Sequence, residues 1–149
     1  MDMSSDDDLS LETTHLVRDT CMCLHVRRAA RAVARRFDEA LRPVDLTNGQ
    51  FSLLMSLNRP NPPTMGSVAE LLAMDRTTLT ANLKPLERRG LLKVVPDEKD
   101  KRSRRLTLTP EGKKVLKKAV PIWKETHREL EKLLGRDAAE LRRDLLNLS

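Results

Sequence analysis

Tyrosine is absent from this chain, and aromatic residues amount to 2%, namely Phe37, Phe51 and Trp123. A core must therefore come from Leu, Val and Ala, which favours helices. The two cysteines, Cys21 and Cys23, fall in one predicted helix, so a disulfide framework is excluded. No apolar run approaches the roughly 20 residues a membrane span needs, and no signal-peptide pattern opens the chain. A cytoplasmic location is the expectation, with no membrane partner. Also missing are a glycine-rich phosphate loop, an HExxH pair and a nucleophile elbow. With no carboxylate pair in a plausible cleft either, neither an enzyme nor a cofactor is expected.

What is present is charge, unevenly placed. The chain has 149 residues and a net charge of +6. Residues 1–12 carry five acids and no base, while residues 75–105 carry ten Lys/Arg against five acids. A local excess of this kind points to a polyanionic partner or, more plainly, to a solvated basic face.

The acidic residues 1–12 lack periodicity and read as a disordered tail. From about Thr14 to Arg42, Val17, Leu24, Val33, Phe37 and Leu41 recur at helical spacing, and Pro43 ends this long helix. Thr47 and Gln50 make a capping-box pattern, with Leu46 and Phe51 at the staple positions. The RPNPP run at 59–63 is a loop. Thr64 caps a short helix ending near Ala73, and Asp75 caps the next, with Met74 and Leu79 as its staple. Gly90, after Arg88 and Arg89, suits a helix C′ position. Leu92–Pro96 and Arg104–Leu108 read as strands around a charged loop. Thr109 and Pro110 open a further helix, which Pro121 is expected to kink or break. Asp137 and Glu140 start a last helix with Leu141, Leu145 and Leu148 on one stripe.

With Leu79, Leu83 and Leu86 facing inward, the opposite face of the fourth helix carries Thr77, Ala81, Lys84 and Arg88. Arg76, Thr78 and Thr80 flank them. Short hydroxyls can bond base edges or pack a methyl on thymine, and small Ala81 permits close approach. Lys84 and Arg88 suit phosphates. Taken alone, such a helix is more often an ordinary amphipathic one with a polar outside. Pro85 removes a backbone bond to Ala81, at roughly 3 kcal/mol in a regular helix. The hairpin that follows decides the matter. Lys99, Asp100, Lys101 and Arg102 form its tip and Arg104 and Arg105 its base, and arginine on such a loop suits a narrow minor groove. Asp100 is placed to pair with Arg102 and fix its direction. A basic hairpin directly after a helix-turn-helix points to DNA.

These residues resemble the MarR family of bacterial winged helix-turn-helix regulators over about residues 15–148. The wing motif Asp100-Lys101-Arg102, followed by Leu106-Thr-Leu-Thr-Pro-Glu-Gly112, carries the likeness, together with LLAMDRTTLTANLKPLERRGLL. The resemblance implies a mainly α fold with a small β-wing. Residues 13–149 would form a single domain, with 13–42 and 110–149 as dimerisation helices and 46–109 as the winged lobe. It further implies a homodimeric repressor of an inverted repeat, released by a small molecule or an oxidant. Arg102 would enter the minor groove, oriented by Asp100. Many members carry arginine where this chain has Ala81, so their base code does not transfer. Independently, the Leu141/Leu145/Leu148 stripe and the apolar face of the first helix need a partner surface. A two-fold dimer places half-sites about 10 bp apart.

Cys23, with Cys21 two residues before it, is the candidate redox thiol. It is placed like the sensing cysteine of the organic-hydroperoxide branch. That branch relies on tyrosines, however, and position 27 is arginine here. The bland alternative is a small apolar residue. Metal binding by Cys21, Cys23 and His25 is disfavoured, because i and i+2 side chains of a helix diverge. His15 and His127 show no partner in sequence. A non-specific architectural DNA binder is the remaining alternative class.

Overall fold

The Ser10 hydroxyl accepts the Thr13 N–H at 3.2 Å and caps the first helix, α1 (Leu11–Thr20). The structure, a computed structural model, describes residues 9–149. Of the stretch expected to be irregular, residues 1–8 lie outside the described residues, whereas Leu11 and Glu12 belong to α1. The single long helix expected from residue 14 is divided. Cys21 takes an extended ψ of 110°, and α2 (Met22–Ala40) begins after it. Pro43 sits inside a single 3-10 turn, Arg42–Val44, that follows α2.

The chain packs as two units, residues up to Arg35 and Arg36–Ser149, the boundary falling within α2. Among the described residues of the first unit none is fully buried; Leu16, Val17 and Met22 are exposed. The second unit holds the core.

That core begins at α3 (Asn48–Ser56), where Thr47 and Gln50 form both halves of the capping box. Leu46 and Phe51, at the staple positions, are both buried. The Asp38 carboxylate takes the Asn48 N–H at 2.7 Å and its side-chain amide at 2.8 Å, tying α2 to the start of α3. Then come α4 (Met65–Leu71), capped by Thr64, and α5 (Arg76–Arg88), capped by Asp75. The turn between them closes as a Schellman motif. Met74 N–H reaches the Ala69 carbonyl, Ala73 N–H reaches Glu70, and Ala73 adopts φ 52°.

Strands β1 (Leu92–Pro96) and β2 (Arg104–Leu108) pair antiparallel, Leu92 opposite Leu108 and Pro96 opposite Arg104. Leu106 and Leu108 point inward. Thr109 then caps α6 (Pro110–Glu131) while its hydroxyl donates to the Gly90 carbonyl at 2.6 Å. Gly112 is obligatory here: a Cβ would collide with the Leu91 carbonyl and approach Leu108 Cδ1 to 2.7 Å. Of the kink or break expected at Pro121, the break does not occur: α6 runs through it as one helix. The last helix, α7 (Ala138–Leu148), has no buried residue, though Arg142 pairs with Glu131 of α6 at 3.1 Å. Among the described residues, no helix is long and apolar enough to cross a membrane.

Candidate nucleic-acid interface

The helix α5 is built to show one face. Asp75 accepts the Thr78 N–H at 2.7 Å, and that bond, then the Thr78 hydroxyl, holds the Asp75 carboxyl below the usual carboxylate range. At the other end Leu91 N–H bonds Leu86 and Gly90 N–H bonds Glu87, a Schellman closure that needs the Gly90 φ of 73°. Leu79, Leu83 and Leu86 are at most 3% exposed. Each buried leucine is worth roughly 2 kcal/mol of apolar transfer, which fixes the rotation of the helix. Arg76, Thr77, Thr78, Thr80, Ala81, Lys84 and Arg88 are consequently all exposed.

These side chains are not equivalent. Thr80 donates its hydroxyl proton to the Arg76 carbonyl at 2.8 Å, leaving an acceptor and a methyl to face outward. The Thr77 hydroxyl has no partner among the described residues. Arg76 lies back over Gly66, whose missing side chain leaves it room. α5 continues through Pro85, and Arg89 N–H bonds the Pro85 carbonyl at 3.1 Å. Lys84 and Arg88 line an open groove of about 570 Å³ with Arg104 of β2, over a floor that includes Leu83 and Val94. Glu87 lines it too, an acid among the cations that face-by-face reading of the sequence did not single out.

The tip of the β-ribbon departs from expectation in one respect. Asp100 Oδ1 accepts the backbone N–H of Arg102 at 3.0 Å rather than its guanidinium, and Ser103 N–H bonds the Asp100 carbonyl at 3.0 Å. Asp100 shapes the turn and leaves the Arg102 side chain free. Lys99, Lys101, Arg102 and Arg104 are exposed and form no ion pair among the described residues. Arg105 is different in kind. Its Nε meets Asp97 at 3.0 Å and its Nη1 the Pro62 carbonyl at 2.6 Å. It anchors the ribbon to the α3–α4 segment and is not an exposed contact. The Arg105 bond in turn holds the Asp97 carboxyl below its usual range.

Cys21 and Cys23 lie in the other unit, half-buried and exposed respectively. His25 Nδ1 donates to the Cys21 carbonyl at 2.8 Å, so its ring is committed to the helix break. His127 does have partners. Its ring stacks on Trp123 at 4.7 Å, Phe37 lies 6.3 Å away and Glu131 3.3 Å. Phe51 stacks on Trp123 at 6.2 Å. The three aromatics thus gather in one cluster, a grouping that no sequence spacing announces.

A helix-turn-helix with an exposed polar face, followed by a basic two-stranded wing, defines a winged helix-turn-helix protein. A MarR family model matches residues 46–103. The M. tuberculosis transcriptional regulator MosR, solved in complex with DNA, superposes with a TM-score of 0.80 at 41% identity, covering 87% of this chain and 93% of that one. The chain belongs to the MarR family, whose members are DNA-binding transcriptional regulators and not enzymes. Curated relatives include the transcriptional activatory protein BadR of Rhodopseudomonas palustris, 41% identical over 73 residues. That match takes in 47% of this chain and 42% of BadR, so the chain spans less than half of that relative. The organic hydroperoxide resistance transcriptional regulator of Bacillus subtilis is 29% identical over 134 residues, 90% of each chain.

Proposed function

We propose that this protein is a cytoplasmic, dimeric, sequence-specific repressor that binds an inverted-repeat operator and is released by a small molecule. One observation carries the reading. The outward face of α5 is exposed from Arg76 to Arg88 while Leu79, Leu83 and Leu86 are locked inside, and unpaired cations of the wing stand beside it. In this reading Thr77, Thr78, Thr80 and Ala81 meet base edges, with Arg76 at the helix start. Lys84, Arg88 and Arg104 bind phosphates. Lys99, Lys101 and Arg102 approach the minor groove on a tip that Asp100 shapes. The domain division follows: residues 46–109 form the DNA-binding lobe, and 13–42 with 110–149 the dimerisation helices. Exposed leucines on α1 and α7 supply the apolar surface for pairing.

Footprinting across the regions flanking its own gene is expected to show a protected palindrome with half-sites about 10 bp apart. With about eight phosphates neutralised, the log–log salt slope is near −7. Lys84→Ala is expected to lower that slope by about 1 without changing base preference, and Thr77→Val to change the preference. Equal affinity for random and promoter DNA would select a non-specific architectural binder instead.

Exposure of Cys23 two residues after the α1–α2 break favours a second reading of the signal, a thiol response to peroxide. The similarity to an organic hydroperoxide resistance regulator supports it. Peroxide then releases the protein from DNA, and Cys23→Ser abolishes the response. Unchanged release in the serine variant eliminates that thiol.

A further inference from the structure

Arg89 caps the C-terminal end of α5 and reaches out of it. Its Nη1 donates to the Asp45 carbonyl at 2.7 Å, and its Nη2 lies 3.7 Å from the Asp45 carboxylate. Forty-four positions separate the two residues. Among the described residues, the other hydrogen bonds that involve side chains along α5 stay local: Thr78 with Asp75, Thr80 with Arg76, Asn82 with Met74. Arg89 thus ties α5 to a distant part of the chain through a side chain, where its neighbours bond only within the helix and the turn before it.

The point it grips is a firm one. Asp45 closes the Arg42–Val44 turn with φ 54° and ψ 46°, a left-handed conformation that glycine adopts freely and aspartate tolerates. The Asp45 N–H bonds the Arg42 carbonyl at 2.9 Å. Leu41 and Leu46 on either side are at most 4% exposed, and Asp38 fastens the end of α2 to α3 just beyond. The Asp45 carboxylate is 93% exposed, so the ion pair adds little. The charged donor on the carbonyl is the stronger bond.

The three buried leucines of α5 set its rotation, but apolar packing is non-directional and leaves its last turn free to tilt. Pro85 adds to that freedom, because it has no N–H to give the Ala81 carbonyl. Lys84 precedes this weak point and Arg88 follows it, so the spacing of these two cations depends on what holds the last turn. We propose that Arg89 is a positioning residue for DNA recognition. Forked onto Asp45, it holds the end of α5 against the turn that closes α2, and so keeps Lys84 and Arg88 in register with the threonine end of the helix. Arg89 itself touches no DNA in this role. The role rests on the proposed DNA-binding function; the clamp does not.

The test compares the full chain with Arg89→Gln on the mapped DNA site and on random DNA, at a temperature where both are folded. The ratio of the two affinities is expected to fall about tenfold in the variant. The log–log salt slope is expected to stay unchanged, whereas loss of a phosphate contact would lower it by about 0.9. In the free protein, amide exchange across residues 86–91 is expected to accelerate about tenfold. Arg89→Lys keeps the charge without the fork and is expected to give an intermediate ratio; it carries the same comparison if the glutamine variant does not fold. A lowered slope with the ratio intact makes Arg89 a phosphate contact and overturns the proposal. An unchanged ratio in both variants, or unchanged exchange, overturns it as well. An unsubstituted chain with no preferred DNA site would overturn the sequence-specific reading instead, while exchange still decides whether Arg89 holds α5.

Discussion

Gly112 occupies a position where no side chain fits, because the Leu91 carbonyl stands where a Cβ would be. Gly112→Ala is expected to destabilise the fold by about 2–3 kcal/mol, read as a lowered urea midpoint at constant m-value. Gly66→Ala is the contrast. Its nearest obstacle is the flexible end of Arg76 at 3.4 Å, so the change is expected to be neutral or stabilising by up to about 1 kcal/mol. Asp38 makes a pH prediction. The Asn48 backbone N–H, then its side-chain amide, depress the Asp38 carboxyl in the folded state. The unfolded chain therefore binds the proton more readily. The contribution is present above the unfolded value, about 3.9, and is lost as pH falls through the folded one. Thermal melts are expected to drop below about pH 4, with a shallower acid limb in Asp38→Asn. Single-residue roles were the least legible part of the sequence. The exposed faces of Thr77, Lys84 and Arg102 follow from helical spacing and loop charge, which are local. Arg105 looks like its neighbour Arg104 until the fold brings the Pro62 carbonyl to it across 43 positions. His127 acquires Phe37 in the same non-local way, whereas Trp123 is its neighbour one turn back on α6.

At the scale of elements, caps made most boundaries readable. Thr47, Thr64, Asp75, Thr109 and Asp137 each cap the helix that the sequence assigns to them, since capping is a bond between residues two or three apart. The two strands fall where alternation and the charged loop put them. The division at Cys21 was hidden. Apolar spacing continues across it, and even the hydrogen bonds nearly do: Cys21 N–H reaches Val17 and His25 N–H reaches Cys21. One rotated ψ makes the break, and no glycine or proline marks it. The wing offers the element-scale prediction. Arg105→Ala leaves every exposed cation of the tip in place but removes the Asp97 pair within the ribbon and the side-chain bond to the Pro62 carbonyl. Amide exchange across residues 97–103 is expected to accelerate, and affinity for the mapped DNA site to fall about tenfold. Unchanged exchange would show that the Arg105 side chain does not hold the ribbon.

For the whole molecule, the exposed apolar residues mark where the described chain is unfinished. Leu145, Leu146 and Leu148 are 44%, 71% and 64% exposed on α7, and Leu11 and Leu16 are exposed on α1. Light scattering is expected to give twice the chain mass, and Leu145→Glu with Leu148→Glu to return the monomer. A double variant that stays dimeric would move the contact elsewhere. α6 has a mechanical property of its own. Its 22 residues pass Pro121 uninterrupted from the wing-side cap at Thr109 to Glu131, where Arg142 of α7 attaches. A continuous helix of that length spans about 33 Å. Treated as a rigid lever pivoting at one end, it converts a tilt of about 10° into about 6 Å of travel at the other. Successive phosphates on one DNA strand advance about 3.4 Å along the axis. In the proposed function, a tilt of that size would carry the wing past more than one phosphate, and the grip on DNA would then be set by the stiffness of a rod.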